Sequence, residues 1–246
     1  MMNTEPTRDP VSGRAVLITG ANRGLGQALV EEALRRGARR VYAGSRQPLT
    51  HPDARVTPLL LDVTDTAHIE AAVKAVDELD LLINNAGVST PEALDDRESL
   101  DRHLAVNLYG PWSLTQAFRP HITAAHGTVV NVLSLAAVAS LPIMPAYSMS
   151  KAAALSLTQA TRALLAADGV RVHAVLAGPI DTDMSRDLPI QKTPPEAVAR
   201  AVLDAVAEGT EDIFPDPWSA TLAEAWNGGP VRKLEQDNAA LLTQLG

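Results

Sequence analysis

A doubly wound α/β fold, with a parallel sheet of about seven strands and helices on both faces, is the fold class this chain predicts. Three observations carry it. Short apolar runs alternate with segments of helical period from Ala15 to Phe214, which is the pattern of βαβ units. The apolar runs are β-branched or leucine-rich throughout, as strands covered on both faces are. A glycine-rich turn, Thr19-Gly-Ala-Asn-Arg-Gly-Leu-Gly26, separates the first apolar run from the first helical segment.

In chain order, strands are expected at Ala15–Thr19, Arg40–Gly44, Val56–Leu61, Leu81–Asn84, Thr128–Leu133 and Val170–Leu176, with a last one near Ile213. Helices are expected between them. Gly24–Arg36 carries Leu25, Ala28, Leu29 and Ala33 on one face and stops at Gly37, a residue type suited to ending helices. Asp65–Glu78 opens on an acidic residue suited to capping. Asp96–Val106, Leu108–His121, Ala146–Ala167 and Pro195–Glu208 also read as helical, the last announced by Pro194 and Pro195. From Pro217 onward one or two surface helices are expected, broken at Gly228-Gly-Pro230.

Composition narrows the functional classes. The chain has 246 residues, 46% of them hydrophobic and 20% charged, an ordinary globular balance. One domain over residues 14–246 is expected, preceded by a loose polar tail over residues 1–13 without a basic-then-apolar signal pattern. Cysteine is absent, so disulfides and thiol chemistry are excluded; this fits a cytoplasmic protein. No apolar run approaches the ~18 residues of a membrane span. The net charge of −8 argues against nucleic-acid or anionic-membrane partners. The one basic cluster, Arg35, Arg36, Arg39 and Arg40, surrounds the expected end of the first helix, where cations complement the helix dipole. The six histidines show no metal spacing, and no metal site is expected. Asp181 and Asp183 read as shaping the loop after the sixth strand.

The turn at the first strand–helix junction carries Gly20, Gly24 and Gly26. Glycine permits a tight turn and close approach of backbone to ligand, and the helix start beyond it offers N–H groups to a pyrophosphate. In this context the turn predicts the Rossmann-type, dinucleotide-binding form of the fold. Twenty residues after Gly26, where such folds place an acid for the ribose 2′-hydroxyl of NAD, stand Ser45 and Arg46. Arg46, with Arg23 in the turn, offers positive charge to a 2′-phosphate, which a guanidinium grips well. NADP(H) is therefore expected in preference to NAD(H).

Tyr147 and Lys151 stand four residues apart, on one face of a helix. A nearby ammonium favours the phenolate, so the pair suits proton transfer to or from a carbonyl oxygen. Ser134, at the end of the fifth strand, is placed to hydrogen-bond the same oxygen, and Asn107 to anchor a water contacting Lys151.

With Thr19–Gly26, Asp62-Val63, Asn84–Gly87, Asn107, Ser134, Tyr147/Lys151 and Gly178-Pro-Ile-Asp-Thr182 together, the chain resembles the short-chain dehydrogenase/reductase family of single-domain proteins from about Arg14 to Met184. The resemblance implies the following roles. Tyr147 is the acid/base; Lys151 binds the nicotinamide ribose and tunes it. Ser134 orients the substrate oxygen and Asn107 supports a proton relay. Gly20, Asn22, Arg23, Gly24, Leu25 and Gly26 hold the cofactor at the turn, with Ser45 and Arg46 beyond the second strand. Asp62 and Val63 meet the adenine, Asn85, Ala86 and Gly87 line the central wall, Ile180 and Thr182 hold the carboxamide, and Gly178 is also at the cofactor. It also implies a homodimer or homotetramer. Trp112 suits either that contact or the core.

The chain departs from the family's pattern in having Ala177-Gly178 where Pro-Gly is common, in a short segment between Met184 and Pro194, and in lacking a glycine-rich C-terminus. An apolar pocket wall is expected from Val88, Leu135, Ala136, Leu141, Met144, Pro145 and Met184, with Trp218 and Trp226 closing it. It suits a small-to-medium hydrophobic ketone or aldehyde, or the alcohol. Two alternatives stand beside this reading: a non-catalytic NADP(H) sensor on the same fold, and an epimerase or dehydratase, for which little chain remains after Phe214.

Overall fold

The computed structural model describes residues 10–90, 93–187 and 189–245. Its strands are β1 (Ala15–Thr19), β2 (Arg40–Ser45), β3 (Val56–Leu60), β4 (Leu81–Asn84), β5 (Thr128–Val132), β6 (Arg171–Val175) and β7 (Asp212–Ile213). They form one seven-stranded sheet in the order β3-β2-β1-β4-β5-β6-β7, with every adjacent pair parallel. The chain builds outward from β1 to β3 and then returns to place β4 on the other side of β1. That reversal opens a crevice beyond the C-terminal ends of β1 and β4, where ligands bind in such sheets.

Strand alternation feeds both faces. Val16 and Ile18 of β1, Val41 and Ala43 of β2, and Leu81 and Ile83 of β4 join one core with α1 (Gly24–Arg35) and α6 (Pro195–Glu208). Their neighbours Leu17, Tyr42 and Leu82 join a second core with α2 (Thr66–Ala75) and α4 (Gly110–Ala124). Both faces are thus apolar, which is why these strands read as continuous apolar runs. A third cluster joins Leu133 and Leu176 to Ala154 and Leu155 of α5 (Pro145–Leu165).

Local signals act as expected at several ends. Asp65 caps α2 by accepting from Ala67 N and His68 N, although α2 ends at Ala75 rather than Glu78. Pro195 starts α6, and Gly209, at φ +80°, ends it. The C-terminal region forms α7 (Pro217–Asn227) and α8 (Pro230–Leu245), divided at Gly228-Gly229. Three arginines of the basic cluster are held in ion pairs, Arg35 and Arg36 gripping Glu32, Arg36 also reaching Asp204 and Arg39 reaching Glu78, while Arg40 donates to Thr57 Oγ1. The hydrogen bond from Arg35, against the opposing effect of burial, and then Arg36 bring the Glu32 carboxyl down to about 2.

Three expectations are corrected. Residues 1–9 of the expected tail lie outside the described residues, but Val11 is fully buried and Gly13 N donates to Gly37 O, so this end of the tail belongs to the body. The helices expected on either side of Asn107 are α3 (Arg97–Leu104) and α4, joined through a single π-helical stretch over Ala105–Tyr109. Trp112, on α4, is half exposed, which removes the core alternative.

Candidate active site

The glycine turn is locked by its own geometry. Gly20 and Gly24 sit at φ +65° and +54°, a region that side chains disfavour. A Cβ on Gly26 would stand 2.0 Å from Gly20 O, so only glycine fits there. Thr19 Oγ1 accepts from Asn85 N and Ala86 N at 3.0 and 2.9 Å, and Asn85 Nδ2 donates to Thr19 O at 2.8 Å. The segment after β4 is therefore laced to the turn, and the Asn85 amide serves that bracing. No side chain caps the start of α1, and its first turn holds no acid. Those N–H groups suit an anion. Leu25 packs into the core, while Asn22 is exposed.

Beyond β2, Ser45 is buried and its hydroxyl donates to Gln47 O at 2.5 Å. Arg46 is exposed. Asp62 accepts from Thr64 N and Oγ1. Burial raises its carboxyl, but the Thr64 hydrogen bonds, with Arg46 and His68, outweigh that and lower it. Val63 packs against Gly110, where a Cβ would come within 2.7 Å of Val63 Cγ2. The Arg23 guanidinium donates to Asp183 Oδ2 at 2.8 Å, bridging the turn to the loop after β6.

The residues expected to be catalytic converge from three elements. Tyr147 lies in the first turn of α5 and Lys151 one turn on, its Nζ 5.8 Å from the Tyr147 ring centre. The Tyr147 phenol is raised by burial, offset in part by its hydrogen bond with Ser134. Burial pushes the Lys151 ammonium down to about 8, and its Nζ donates to Val132 O at 2.8 Å. Burial is the largest cause of the shift in both groups. Ser134 Oγ also accepts from Ala136 N.

Asn107 occupies the π-helical stretch, a distortion frequent at functional sites. Its Oδ1 accepts from Val88 N, and its Nδ2 donates to Val88 O and to Ser150 Oγ at 2.9 Å. A Cβ on Gly87 would stand 3.3 Å from Asn107 Oδ1 and 3.8 Å from Lys151 Nζ, so the bare Gly87 borders a space that both residues face.

The loop after β6 closes the other wall. Gly178 N donates to Asp216 Oδ2 at 2.7 Å. Ile180 bridges to Thr193, and Thr182 caps the short turn Asp183–Ser185 while its methyl faces Gly24. Of the expected pocket wall, Leu141 and Met184 are exposed, whereas Ala136 and Met144 are buried. Trp218 is half exposed, but Trp226 packs on Phe214 and donates to Asp212, so it braces α7 rather than closing a pocket. The sequence reading missed Ser150, which donates to Tyr147 O at 2.7 Å; its place on the same helical face as Tyr147 was the available signal. It also missed Asp216; His103, read as a non-catalytic helical residue, is fully buried and edge-on to Tyr147 at 6.3 Å. Among the described residues no group of three or more His, Asp or Glu is placed to hold a metal, and no helix is long and apolar enough to cross a membrane.

These features match known proteins. The pattern of the short chain dehydrogenase family covers residues 14–193, and the chain belongs to that family of oxidoreductases. It is 35% identical to the probable galactose dehydrogenase GalD of Rhizobium meliloti over 76% of this chain and 78% of that one. It is 34% identical to the short chain dehydrogenase mpl6 of Monascus purpureus over 94% and 84%. Its fold superposes on a short chain dehydrogenase from Burkholderia cenocepacia in complex with NADP, with a TM-score of 0.84 and 37% identity, over 92% of this chain and 98% of that one.

Proposed function

We propose that this protein is an NADP(H)-dependent oxidoreductase that interconverts a small-to-medium hydrophobic ketone or aldehyde and its alcohol. One observation carries the reading: Tyr147, hydrogen-bonded to Ser134, stands a helical turn from the buried Lys151 beside the crevice at the β1/β4 reversal. The glycine cradle and the uncapped start of α1 fit a dinucleotide.

A nicotinamide bound there would supply or accept the hydride. Tyr147 Oη donates the proton to the substrate oxygen in reduction and takes it back in oxidation. Ser134 Oγ steadies the same oxygen, and Asn107, through Ser150, fixes the first turns of α5. Gly178, Ile180 and Thr182 would hold the carboxamide, and Asp62, Val63, Asn85, Ala86 and Gly87 the remainder of the cofactor.

Support for NADP(H) comes from Arg46 beyond β2 and from the NADP in the Burkholderia relative. Arg23 joins Arg46 by exchanging Asp183 for the 2′-phosphate. Exposed pairs like this one contribute at most about 1 kcal/mol, so the exchange is cheap. Exposed Leu141, Ile143 and Met184 favour an apolar substrate. The reading extends to one domain over residues 14–246, a homodimer or homotetramer and a cytoplasmic location.

Fluorescence titration with NADPH and NADH, followed by turnover of hydrophobic ketones, aldehydes and galactose, tests it. NADPH should bind at least about tenfold tighter, a gap of about 1.4 kcal/mol, and Tyr147→Phe should lose about 10²–10⁴-fold in kcat. Equal binding of the two cofactors removes the role of Arg23 and Arg46, and preference for galactose removes the substrate class. Binding without turnover of any substrate makes the protein a sensor.

A further inference from the structure

Asp216 takes no part in the proton and hydride chemistry, yet its carboxylate is almost wholly buried, at 4% exposure. Four donors satisfy it. Oδ1 accepts from Trp218 N at 3.1 Å and Ser219 N at 3.0 Å; Oδ2 accepts from Ser219 Oγ at 2.7 Å and Gly178 N at 2.7 Å. The first three belong to an ordinary helix cap on α7. The fourth comes from the loop after β6.

That fourth bond stands where the sheet gives out. Ala174 N and Leu176 N donate to Glu211 O and Ile213 O, as a parallel ladder requires. The next donor in the series is Gly178 N, and β7 has ended by then. A side-chain oxygen of Asp216 replaces the missing strand. Pro179 has no N–H, so Gly178 supplies the last backbone donor before Ile180. The fit is close: a Cβ on Gly178 would stand 2.7 Å from Asp216 Oδ1. The far end of α7 is fixed as well, by Trp226 Nε1 donating to Asp212 Oδ2 at 2.8 Å and by the Phe214–Trp226 ring contact.

We propose that Asp216 is a positioning residue for the nicotinamide end of the cofactor site, anchoring the Gly178–Thr182 loop to α7 and making that helix part of the active-site frame. This rests on the functional reading above, in which that loop receives the carboxamide.

Asp216→Asn separates the two duties of the side chain. Asparagine is as good a helix cap as aspartate, so its single carbonyl oxygen keeps the α7 cap. Its amide group then faces Gly178 N–H, donor against donor, and the anchor is lost. The test compares wild type, Asp216→Asn and Gly178→Ala by thermal melting, hydrogen exchange of the segment 177–182, NADPH titration and steady-state kinetics. Asp216→Asn should melt within a few degrees of wild type, exchange the Gly178 amide at least about tenfold faster, bind NADPH about tenfold more weakly and lose kcat, with KM for the carbonyl moving less than about twofold. Gly178→Ala should behave similarly in cofactor binding and be less harmful in an Asp216→Ala background, where the clash is gone. Wild-type exchange, binding and kcat in Asp216→Asn overturn the proposal, because a capping role alone predicts that result. A wild type that binds neither cofactor overturns the functional reading and this proposal together; a wild type that binds NADPH with an unaffected Asp216→Asn overturns only this one.

Discussion

Burial sets the direction in which both Tyr147 and Lys151 shift. From sequence, an ammonium four residues along the helix should draw the phenol down. In the structure burial raises the phenol and lowers the ammonium to about 8. The spacing of the pair was legible; the depth of the site was not, because it depends on what β5 and the π-helical stretch place around α5. For the same reason the Arg23–Asp183 pair, 160 residues apart in sequence, was invisible. The lysine has a consequence for stability. Its folded value lies below the ordinary 10.5, so between about pH 8 and pH 10.5 the unfolded chain binds more protons than the folded one. Stability therefore rises with pH across that window, and the penalty for burying the ammonium is fully present below it. Tyr147, raised above 10, acts in the opposite sense beyond pH 10. The clean interval is pH 8–10, where the Lys151 contribution grows toward an upper bound of about 3 kcal/mol. Urea denaturation at steps across that interval should show the rise in wild type and a flatter profile in Lys151→Met. Parallel profiles for the two proteins would remove this account of the lysine.

At the scale of elements, the strands and most helices could be read because each is driven by a local pattern. The apolar runs gave the strands, and Asp65, Pro195 and the Gly228-Gly229 break marked helix ends. The joint at Asn107 was legible only as an interruption between two helices. Its π-helical form follows from contacts distant in sequence: Asn107 must meet both Val88 and Ser150, while Gly110 must approach Val63. The glycine turn was legible as a motif, but its rigidity comes from Asn85 and Thr19. Its tightest point gives a direct test. A Gly26→Ala methyl would lie 2.0 Å from the Gly20 carbonyl oxygen, and neither partner is a flexible side-chain end. The turn must open, at about 1–3 kcal/mol for forced overpacking. Melting should fall accordingly and NADPH binding should be lost more completely than stability. An alanine variant that keeps wild-type cofactor affinity would show that the turn is not the phosphate cradle.

Across the whole molecule, the C-terminal helices are held by charge as well as by apolar contact. Arg162 on α5 donates to Val172 O and Glu211 O and pairs with Asp212 at 2.6 Å and Glu235 at 2.5 Å. Arg232 on α8 pairs with Glu211 and Glu235, and Trp226 on α7 donates to Asp212. One network thus joins α5, β6, β7, α7 and α8. Nothing in the sequence announced it: Arg162 read as one more helical residue, and its partners lie about 50 and 73 positions away. Magnitudes separate it from the surface pairs. Asp212 is 3% exposed and the Arg162 side chain 11%, whereas Arg97–Asp101 is open to water and, as an i,i+4 pair, contributes about 0.3–0.5 kcal/mol. Removing one member of a buried pair leaves its partner's charge uncompensated and costs about 3–5 kcal/mol. Arg162→Met should therefore lower the urea midpoint strongly and expose the α7–α8 region to limited proteolysis before the rest of the chain, while Arg97→Met should do neither. Because Asp216 mounts the cofactor loop on α7, the proteolysed or loosened Arg162→Met protein should also bind NADPH more weakly than its remaining folded fraction accounts for. If α7 and α8 stay protected and affinity per folded molecule is unchanged, the network is not what fastens the C-terminal helices to the active-site frame.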